Sequence, residues 1–437
     1  MRSRLQKLLS DLTDAFWIVP GSMVIIGVIA GIGFVELDRS GLIPQSMLQS
    51  TWLYNGGATG ARTLLGAVVS STIGVAGTVF SITIAALAVA AGQMGPRLLR
   101  NFTRDRGNQI TLGVFLGTFS YALMVLRSVR AQGEGEFIPH LSLSIALVLA
   151  FASVATLVYF VGHMATRINA DTVVQLVSEE LSAAIKRLTT DESQPAPPDS
   201  DFWRHARILT NPGRGYLQHL AGDQLADWAA EHKTSLLLLV RPGDYVFPGT
   251  PIAVMTPPVD GAEAAIIKTT ALGTERKSAD DLEFAVRQLI EVAVRALSSG
   301  INDPHTAISV LDRIGAALCE IVPLHLRNGV YLRAERPVLV VPSIEYGGLV
   351  DAMFHMIRQN GAGTPSVLIR IMEVLTAVVT CEHDPVRVAT LQRHADLALV
   401  AAEDHISTPA DLEAVRASHK RFAATLQNGP IGLGWTA

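Results

Sequence analysis

Four long runs of apolar residues lie before residue 165 and alternate with short polar or charged stretches. Each run reaches the roughly 17 to 25 residues that an α-helix needs to cross a bilayer. The pattern predicts four membrane-spanning helices, at residues 16–35, 64–92, 110–126 and 141–162. A four-helix transmembrane domain is therefore expected at residues 1–163.

The positions of arginine and lysine predict how these helices are oriented. Positive residues precede the first span and fill the short loop after the second, whereas the other two loops carry mixed charge. Because cytoplasmic loops are enriched in Lys and Arg, both termini are expected on the cytoplasmic side of a bacterial inner membrane. The loop after the second span holds Arg97, Arg100, Arg104 and Arg106. They act either as topogenic charges or as a basic mouth that favours anions.

The second predicted span is unusually rich in small residues. On a helix with about 100° per residue, these residues form one continuous stripe. The stripe consists of Ser70, Gly74, Gly77, Ser81, Ala85, Ala88 and Gly92. Small residues let helix backbones approach closely, so the stripe is interpreted either as a packing seam within the bundle or as the lining of a pore around an oligomer axis.

Ionisable residues are missing from the interior of the four predicted spans, and Arg127 and His163 lie only at their ends. Proton relays and ion-coupled carriers usually need such groups within the membrane. The sequence also has no obvious internal repeat of the kind from which carriers are built. A proton-coupled transporter is therefore disfavoured.

The remainder of the chain predicts a cytoplasmic α+β region. An exit helix and a proline-rich linker, "TTDESQPAPPDS", are expected within residues 164–200. A small β-rich domain follows at 201–264, where "SLLLLV", "YVF" and "PIAVM" are separated by Pro-Gly pairs suited to type II turns. Its turn-strand-turn pattern is similar to barrel-sandwich domains, so a small barrel or sandwich is expected. Residues 265–437 are predicted to be mainly helical, apart from a strand at "PVLVV" (337–341).

Helix spacing in this last region begins after Ser278 and Asp281, which together fit a capping box. Later helices are predicted at about 305–320, 346–359, 365–381, 385–404 and 409–427.

The stretch "LSSGINDPHTAI" (297–308) is the densest polar run between two apolar stretches in this region. It is interpreted as a helix joint and not as a catalytic site. Gly300 suits the left-handed position after a helix, Asn302 bridges the turn, and Asp303 caps a new helix that starts at Pro304. His305 is the one residue that the joint does not explain.

Composition adds mostly exclusions. Charged residues make up 17% of the chain, below the roughly 25% of a soluble domain, and the net charge of −4 implies no nucleic-acid partner. Cys319 and Cys381 fall on the predicted cytoplasmic side and are expected to be free thiols. No familiar catalytic or metal-binding motif occurs, so no catalytic residue, metal or cofactor is predicted.

Three segments carry a resemblance to a known family. They are "FSITIAALAVAAGQMGPRLLRNFTRDR" (80–106), "RPGDYVFPGTPIAVM" (241–255) and "DLEFAVRQLIEVAVRALSSGINDPHTAISVLDRI" (281–314). With the four-span layout they resemble the DUF2254 family of bacterial membrane proteins over nearly the whole chain. The family's joint reads like "ALSPGINDPFTA", so Ser299 and His305 depart from it. The resemblance implies an architecture and no particular activity, substrate or cofactor.

The sequence therefore predicts an α-helical membrane protein with four transmembrane helices and a cytoplasmic α+β region. The leading functional hypothesis is an oligomeric channel or pore-like assembly with a regulatory cytoplasmic region. Its partners would be the lipid bilayer, other copies of the chain and an ion or small ligand that the sequence does not identify. The alternatives are a membrane-anchored interaction or sensing protein without a pore and, third, a membrane-bound enzyme.

Overall fold

The computed structural model describes residues 16–40, 57–94, 105–130, 137–167, 170–276 and 281–430. Contacts between these residues divide the chain into two compact units, which meet in the sequence between Asn169 and Ala170.

The N-terminal unit is a set of four long helices. These are α1 (Ile18–Arg39), α2 (Ala58–Met94), α3 (Arg106–Ser128) and α4 (His140–Arg167). All four are long and apolar enough to cross a membrane. Helix α3 packs against the other three. Half of its most apolar window is buried, 50%, compared with 22% in each of the others, so α3 is the centre of the unit.

Glycines bring α1 and α3 into close backbone contact. A Cβ added at Gly27 would lie 2.4 Å from the carbonyl oxygen of Gly117, and one at Gly31 would lie 2.9 Å from Cβ of Met124. Since neither gap accommodates a methyl group, the two helices pack through a glycine seam.

Polar contacts join the helix ends on both sides of this unit. The Asp38 carboxylate at the end of α1 accepts hydrogen bonds from Leu141 N (3.2 Å) and Ser142 N (3.0 Å), at the start of α4. Asp105, immediately before α3, contacts His163 near the end of α4. The two contacts show that α4 runs antiparallel to both α1 and α3.

The C-terminal unit mixes helices and short strands. Its helices are α5 (Ala170–Leu188), α6 (Gly222–Glu231), α7 (Ala262–Thr269), α8 (Leu282–Ala296), α9 (Pro304–Ile321), α10 (Tyr346–Asn360), α11 (Pro365–Val379), α12 (Pro385–His405) and α13 (Pro409–Asn428). Its strands are β1 (Thr189–Thr190), β2 (Arg207–Thr210), β3 (Gly215–Leu220), β4 (Ser235–Leu238), β5 (Tyr245–Val246), β6 (Pro251–Thr256), β7 (Thr270–Gly273), β8 (His325–Leu326), β9 (Val330–Arg333) and β10 (Arg336–Val340).

The strands form open sheets. A five-stranded sheet has the order β2-β6-β4-β10-β9, a three-stranded sheet the order β5-β3-β7, and β1 pairs with β8. Only the β10–β4 pair is parallel among these strands, and no closed barrel is formed by the described residues. The predicted small barrel is not formed, because β2 and β9 are unpaired edges of the five-stranded sheet. The predicted Pro-Gly turns are present, with positive φ at Gly243 (99°) and Gly249 (77°).

Four strands, β7 to β10, come from residues 265–437, which were predicted to be mainly helical, and β10 overlaps the strand predicted at 337–341. Leu339 and Val340 of β10 pair with Leu236 and Leu237 of β4, so the sheet joins segments about a hundred residues apart. The strand-forming part of the chain therefore extends beyond residues 201–264.

The helices of this unit begin where local capping chemistry dictates. Four of them start with proline at the first position, where a missing N–H leaves no helical hydrogen bond unmade. Asp281 caps α8 directly by accepting from Phe284 N, at 3.1 Å. Asp281 is thus the N-cap and not the third residue of a capping box, and Ser278 lies outside the described residues.

Candidate functional site

Helix α2 buries one face against α3 and leaves the opposite face uncovered. Its buried residues between Ala61 and Val79 recur at helical spacing and are mainly apolar. They are Ala61, Leu65, Val68, Thr72, Ala76 and Val79. The packed side of α2 therefore uses branched and small apolar residues that are not members of the predicted stripe.

The small-residue stripe of α2 is exposed. Ser70, Gly74, Gly77, Ser81, Ala85 and Ala88 all lie on the outer face, and Gly92 continues the same helix. A Cβ added at Gly74 or Gly77 would meet no atom within 4 Å. The described stripe residues therefore form no seam within the chain's own four helices, and whether the stripe packs against another copy or lines a pore stays a prediction. The close seam lies between α1 and α3, because their glycines face each other.

The outer faces of α1 and α4 have a different composition. Ile25, Ile29, Phe151, Val154 and Val158 are each at least 60% exposed, and all are bulky and apolar. Such side chains suit contact with lipid tails. On α2, Ile73, Phe80 and Ile84 flank the stripe, but they are only 43–48% exposed.

Hydroxyl groups on α2 are satisfied within the helix. Ser81 Oγ donates to the carbonyl of Gly77 at 2.9 Å, and Thr78 Oγ1 donates to that of Gly74 at 3.1 Å. Because these hydroxyls retain acceptor capacity, the face can meet either another helix or water.

One end of the N-terminal unit holds an acid–imidazole pair, in which Asp105 is buried and His163 is partly buried. Nε2 of His163 lies 3.0 and 2.9 Å from the two carboxylate oxygens of Asp105. Asp105 also caps α3 by accepting from Gly107 N at 2.7 Å. A Cβ at Gly107 would lie 2.6 Å from His163 Nε2, so glycine makes room for the ring. The sequence placed His163 at a span end but did not reveal its partner.

Next to this pair, α3 carries buried polar groups without protein partners. Both side-chain heteroatoms of Asn108 and the hydroxyl of Thr111 are buried and make no hydrogen bond in the structure. The two residues are 2% and 1% exposed. Buried polar groups are normally satisfied, so these two side chains are exceptions among the described residues.

Of the four arginines in the predicted basic mouth, only Arg106 is described. It is the exposed first residue of α3. Arg97, Arg100 and Arg104 lie outside the described residues.

In the predicted joint, Asp303 is the N-cap of α9. Its carboxylate accepts from His305 N at 3.1 Å and from Thr306 N at 3.2 Å. The left-handed residue is Asn302, with a φ of 50°, and not Gly300. Helix α8 ends at Ala296, and the residue with left-handed backbone lies two positions later in the turn than the predicted Gly300. Asn tolerates this conformation because its short side chain hydrogen-bonds locally. His305 is exposed and belongs to no group of potential metal ligands among the described residues.

A cluster of possible metal ligands in the C-terminal unit was missed by sequence reasoning. Asp351 and His355 on α10 and His394 on α12 each present a ligand atom within 4.8 Å of the others. The Asp351/His355 spacing of one helical turn was visible in the sequence. His394 comes from another helix, and no motif links it to the first two.

Comparison with known proteins identifies the family. The family described as "Predicted membrane protein (DUF2254)" matches residues 13–377. The chain belongs to this family. An uncharacterized protein of Mycobacterium tuberculosis (strain CDC 1551 / Oshkosh) is 31% identical over 430 residues, covering 94% of this chain and 80% of the relative. An uncharacterized protein of Mycobacterium bovis is similar to the same extent. No solved structure matches the chain. DUF2254 membership thus supports a membrane protein with four apolar helices and leaves its activity open.

Proposed function

We propose that this DUF2254 protein is a homo-oligomeric, pore-like assembly of the bacterial inner membrane. In it, the small-residue face of α2 meets the same face of neighbouring copies around a common axis. Both termini and the C-terminal unit lie in the cytoplasm, as the distribution of Arg and Lys favours.

The contrast between the outer faces carries this proposal. Lipid tails gain little from Gly74 and Gly77, which offer almost no side-chain surface for contact. A protein neighbour gains from close backbone approach at such positions. Polar Ser70 and Ser81 on the same face suit an aqueous lumen better than the bulky faces of α1 and α4 do. A lumen of this kind can gate by dewetting without a charged side chain.

A second candidate is a membrane-anchored sensing protein without a pore. A cavity of about 270 Å³ in the C-terminal unit favours it. The cavity is lined by three arginines, Arg187, Arg241 and Arg327, and by one carboxylate, Asp281, so the excess of positive charge suits a small anionic ligand. The two candidates differ in whether α2 contacts water.

Cysteine chemistry on the oligomer separates them. In a Cys319→Ser/Cys381→Ser background, cysteines replace Gly74, Gly77 or Ser81 on the stripe and Phe151 or Val154 on the outer face of α4. Val79→Cys is the buried control. The probe is a charged, membrane-impermeant thiol reagent applied to protein in native membranes.

The pore predicts modification of the stripe cysteines and protection of those at Phe151, Val154 and Val79. Oxidative crosslinking between copies at Gly74→Cys or Gly77→Cys without reagent access would support the contact but replace the pore with a sealed interface. Absence of both modification and crosslinking would place α2 against lipid and overturn the proposal. For orientation, labelling of Gly133→Cys from the cytoplasmic side would contradict the four-span topology.

A further inference from the structure

We propose that Asp351, His355 and His394 form a binding site for a divalent transition-metal cation. The site lies between α10 and α12 and is independent of the proposed pore. Two imidazoles and one carboxylate make a mixed N/O ligand set, which suits Zn²⁺ and its first-row neighbours.

All three ligand atoms lie within 4.8 Å of one another, and the two separations that involve the carboxylate are close to what a metal requires. Oδ1 of Asp351 lies 2.8 Å from Nε2 of His394 and 3.1 Å from Nε2 of His355. With metal–ligand bonds of about 2.0 to 2.1 Å, tetrahedral coordination separates ligand atoms by about 3.3 Å. Each of the two separations therefore has to open by only about half an ångström or less.

The backbone fixes most of this arrangement in advance. Asp351 and His355 are one turn apart on α10, so they share a face. His394 is held by packing, since its side chain is 0% exposed and its ring lies 5.6 Å from that of Phe354. A ligand held in place loses little conformational freedom when it binds a cation.

Both histidines can present a lone pair to the metal. The side chain of His394 is fully buried, which disfavours a charged imidazolium. Nδ1 of His394 and of His355 is buried without a hydrogen-bond partner in the structure. Since no partner at Nδ1 fixes the tautomer, the proton can move to Nδ1 and free Nε2 for coordination.

The positively charged guanidinium of Arg393 already lies against two of the proposed ligands, Asp351 and His394. The Arg393 guanidinium contacts Oδ1 of Asp351 and places Nη2 3.4 Å from Nε2 of His394. Its side chain is 46% exposed, so it can move into solvent when a metal enters. Asp351 and His355, at 37% and 34% exposure, leave the remaining coordination positions open to water.

The competition with Arg393 gives the experiment its sharpest control. A purely structural network around Asp351 needs the arginine, whereas a metal site is weakened by it. Arg393→Gln shortens the side chain and removes its charge, so the variant should bind Zn²⁺ several-fold more tightly than the unmodified chain.

The test titrates Zn²⁺ into the full chain in detergent by calorimetry, after stripping with a chelator. The protein carries no polyhistidine tag and has Cys319→Ser and Cys381→Ser, because the two thiols lie 3.9 Å apart and are themselves potential ligands. One Zn²⁺ per chain is expected. Asp351→Asn, His355→Asn and His394→Asn should each weaken binding more than tenfold, since even outer-shell partners of a metal are worth roughly 10- to 100-fold.

His419→Asn is the matched control. His419 Nε2 lies 2.8 Å from Asp396 Oδ1, the same kind of pair without a second imidazole, so its loss should leave Zn²⁺ affinity unchanged. If His394→Asn does not fold, the partly exposed Asp351 and His355 variants carry the test. Absence of stoichiometric Zn²⁺, or binding that survives the Asp351 and His355 substitutions, would overturn the site. So would Zn²⁺ binding that Arg393→Gln weakens.

Discussion

The outer faces of α1, α2 and α4 are all exposed, yet they differ in the size of their side chains. The outer face of α2 carries Gly74 and Gly77, whereas those of α1 and α4 carry bulky residues such as Ile29 and Val154. Bulky apolar residues gain contact from lipid, whereas glycine gains it from another backbone. Exposure alone therefore does not identify a lipid-facing surface, and composition separates the two kinds.

In the C-terminal unit, the residues of interest are the potential metal ligands Asp351, His355 and His394, which come from two packed helices rather than from one exposed face. Its ligand cluster lies between two helices, with His394 fully buried. The position of His394 depends on packing between helices, whereas the small-residue face of α2 has no packing contact within the chain's described helices. The two regions should therefore respond to substitution in different ways.

The largest effect is expected where glycines pack within the chain. Gly27→Leu would drive a side chain into the backbone of Gly117, whereas Gly74→Leu meets open space. Overpacking usually costs about 1 to 3 kcal/mol and more against backbone, so Gly27→Leu should abolish folding or lower the melting temperature sharply. Gly74→Leu should keep the chain folded and dissociate the proposed oligomer. Thermal unfolding and particle mass in detergent measure the two effects; equal loss of stability in both variants would erase the distinction between the faces.

Acid should destabilise the C-terminal unit through His394. Burial lowers its folded-state pKa to about 4, whereas an unfolded histidine titrates near 6.5. Between about pH 6.5 and pH 4, the unfolded state binds a proton at His394 and the folded state does not. The free energy of unfolding therefore falls as the pH drops through this range. The loss should amount to up to about 3 kcal/mol.

The measurement is the melting temperature of the full chain between pH 4.5 and 7.5, compared with that of His394→Asn. The variant should show a shallower dependence on pH. Parallel pH profiles would mean that His394 is not held neutral by burial.

At the helix joint, the expected effect is smaller. Asp303 needs only a short side-chain acceptor to cap α9, so Asp303→Asn should be tolerated, whereas Asp303→Ala should cost about 0.5 to 2 kcal/mol. Melting temperatures of the two variants test this. If Asp303→Asn melts as low as Asp303→Ala, the charge matters beyond capping, and the joint becomes a candidate site again.

The smallest effect is expected on the outer face of α4. Val154→Ala keeps an apolar surface toward lipid and should change neither particle mass nor melting temperature appreciably. Dissociation of the oligomer by this substitution would show that α4, and not only α2, contacts a neighbouring copy.

Local signals in the sequence predicted much of this fold. The four apolar runs predicted the four candidate membrane helices, the Asp303-Pro304 step predicted the start of α9, and helical spacing predicted α11, α12 and α13. Non-local pairings were beyond the same reasoning. Nothing near Leu339 indicates that it pairs with Leu236, and nothing near His394 indicates Asp351.

The face through which α2 packs could not be predicted for a related reason. Small residues suit a seam in any bundle, and which seam forms depends on the partner helix. Here Gly117 of α3 packs against Gly27 of α1, and other residues of α3 pack against Leu65 and Val68 of α2. Because α3 contacts this face of α2, the small-residue stripe lies on the exposed face.

Particle imaging of the full chain in lipid nanodiscs tests the assembly most directly. The proposal predicts a closed ring of several copies, with α2 nearest the axis and Gly74, Gly77 and Ser81 facing the lumen or the adjoining copy. A single copy surrounded by lipid, or an oligomer with α1 or α4 at the axis and α2 against lipid, would contradict it.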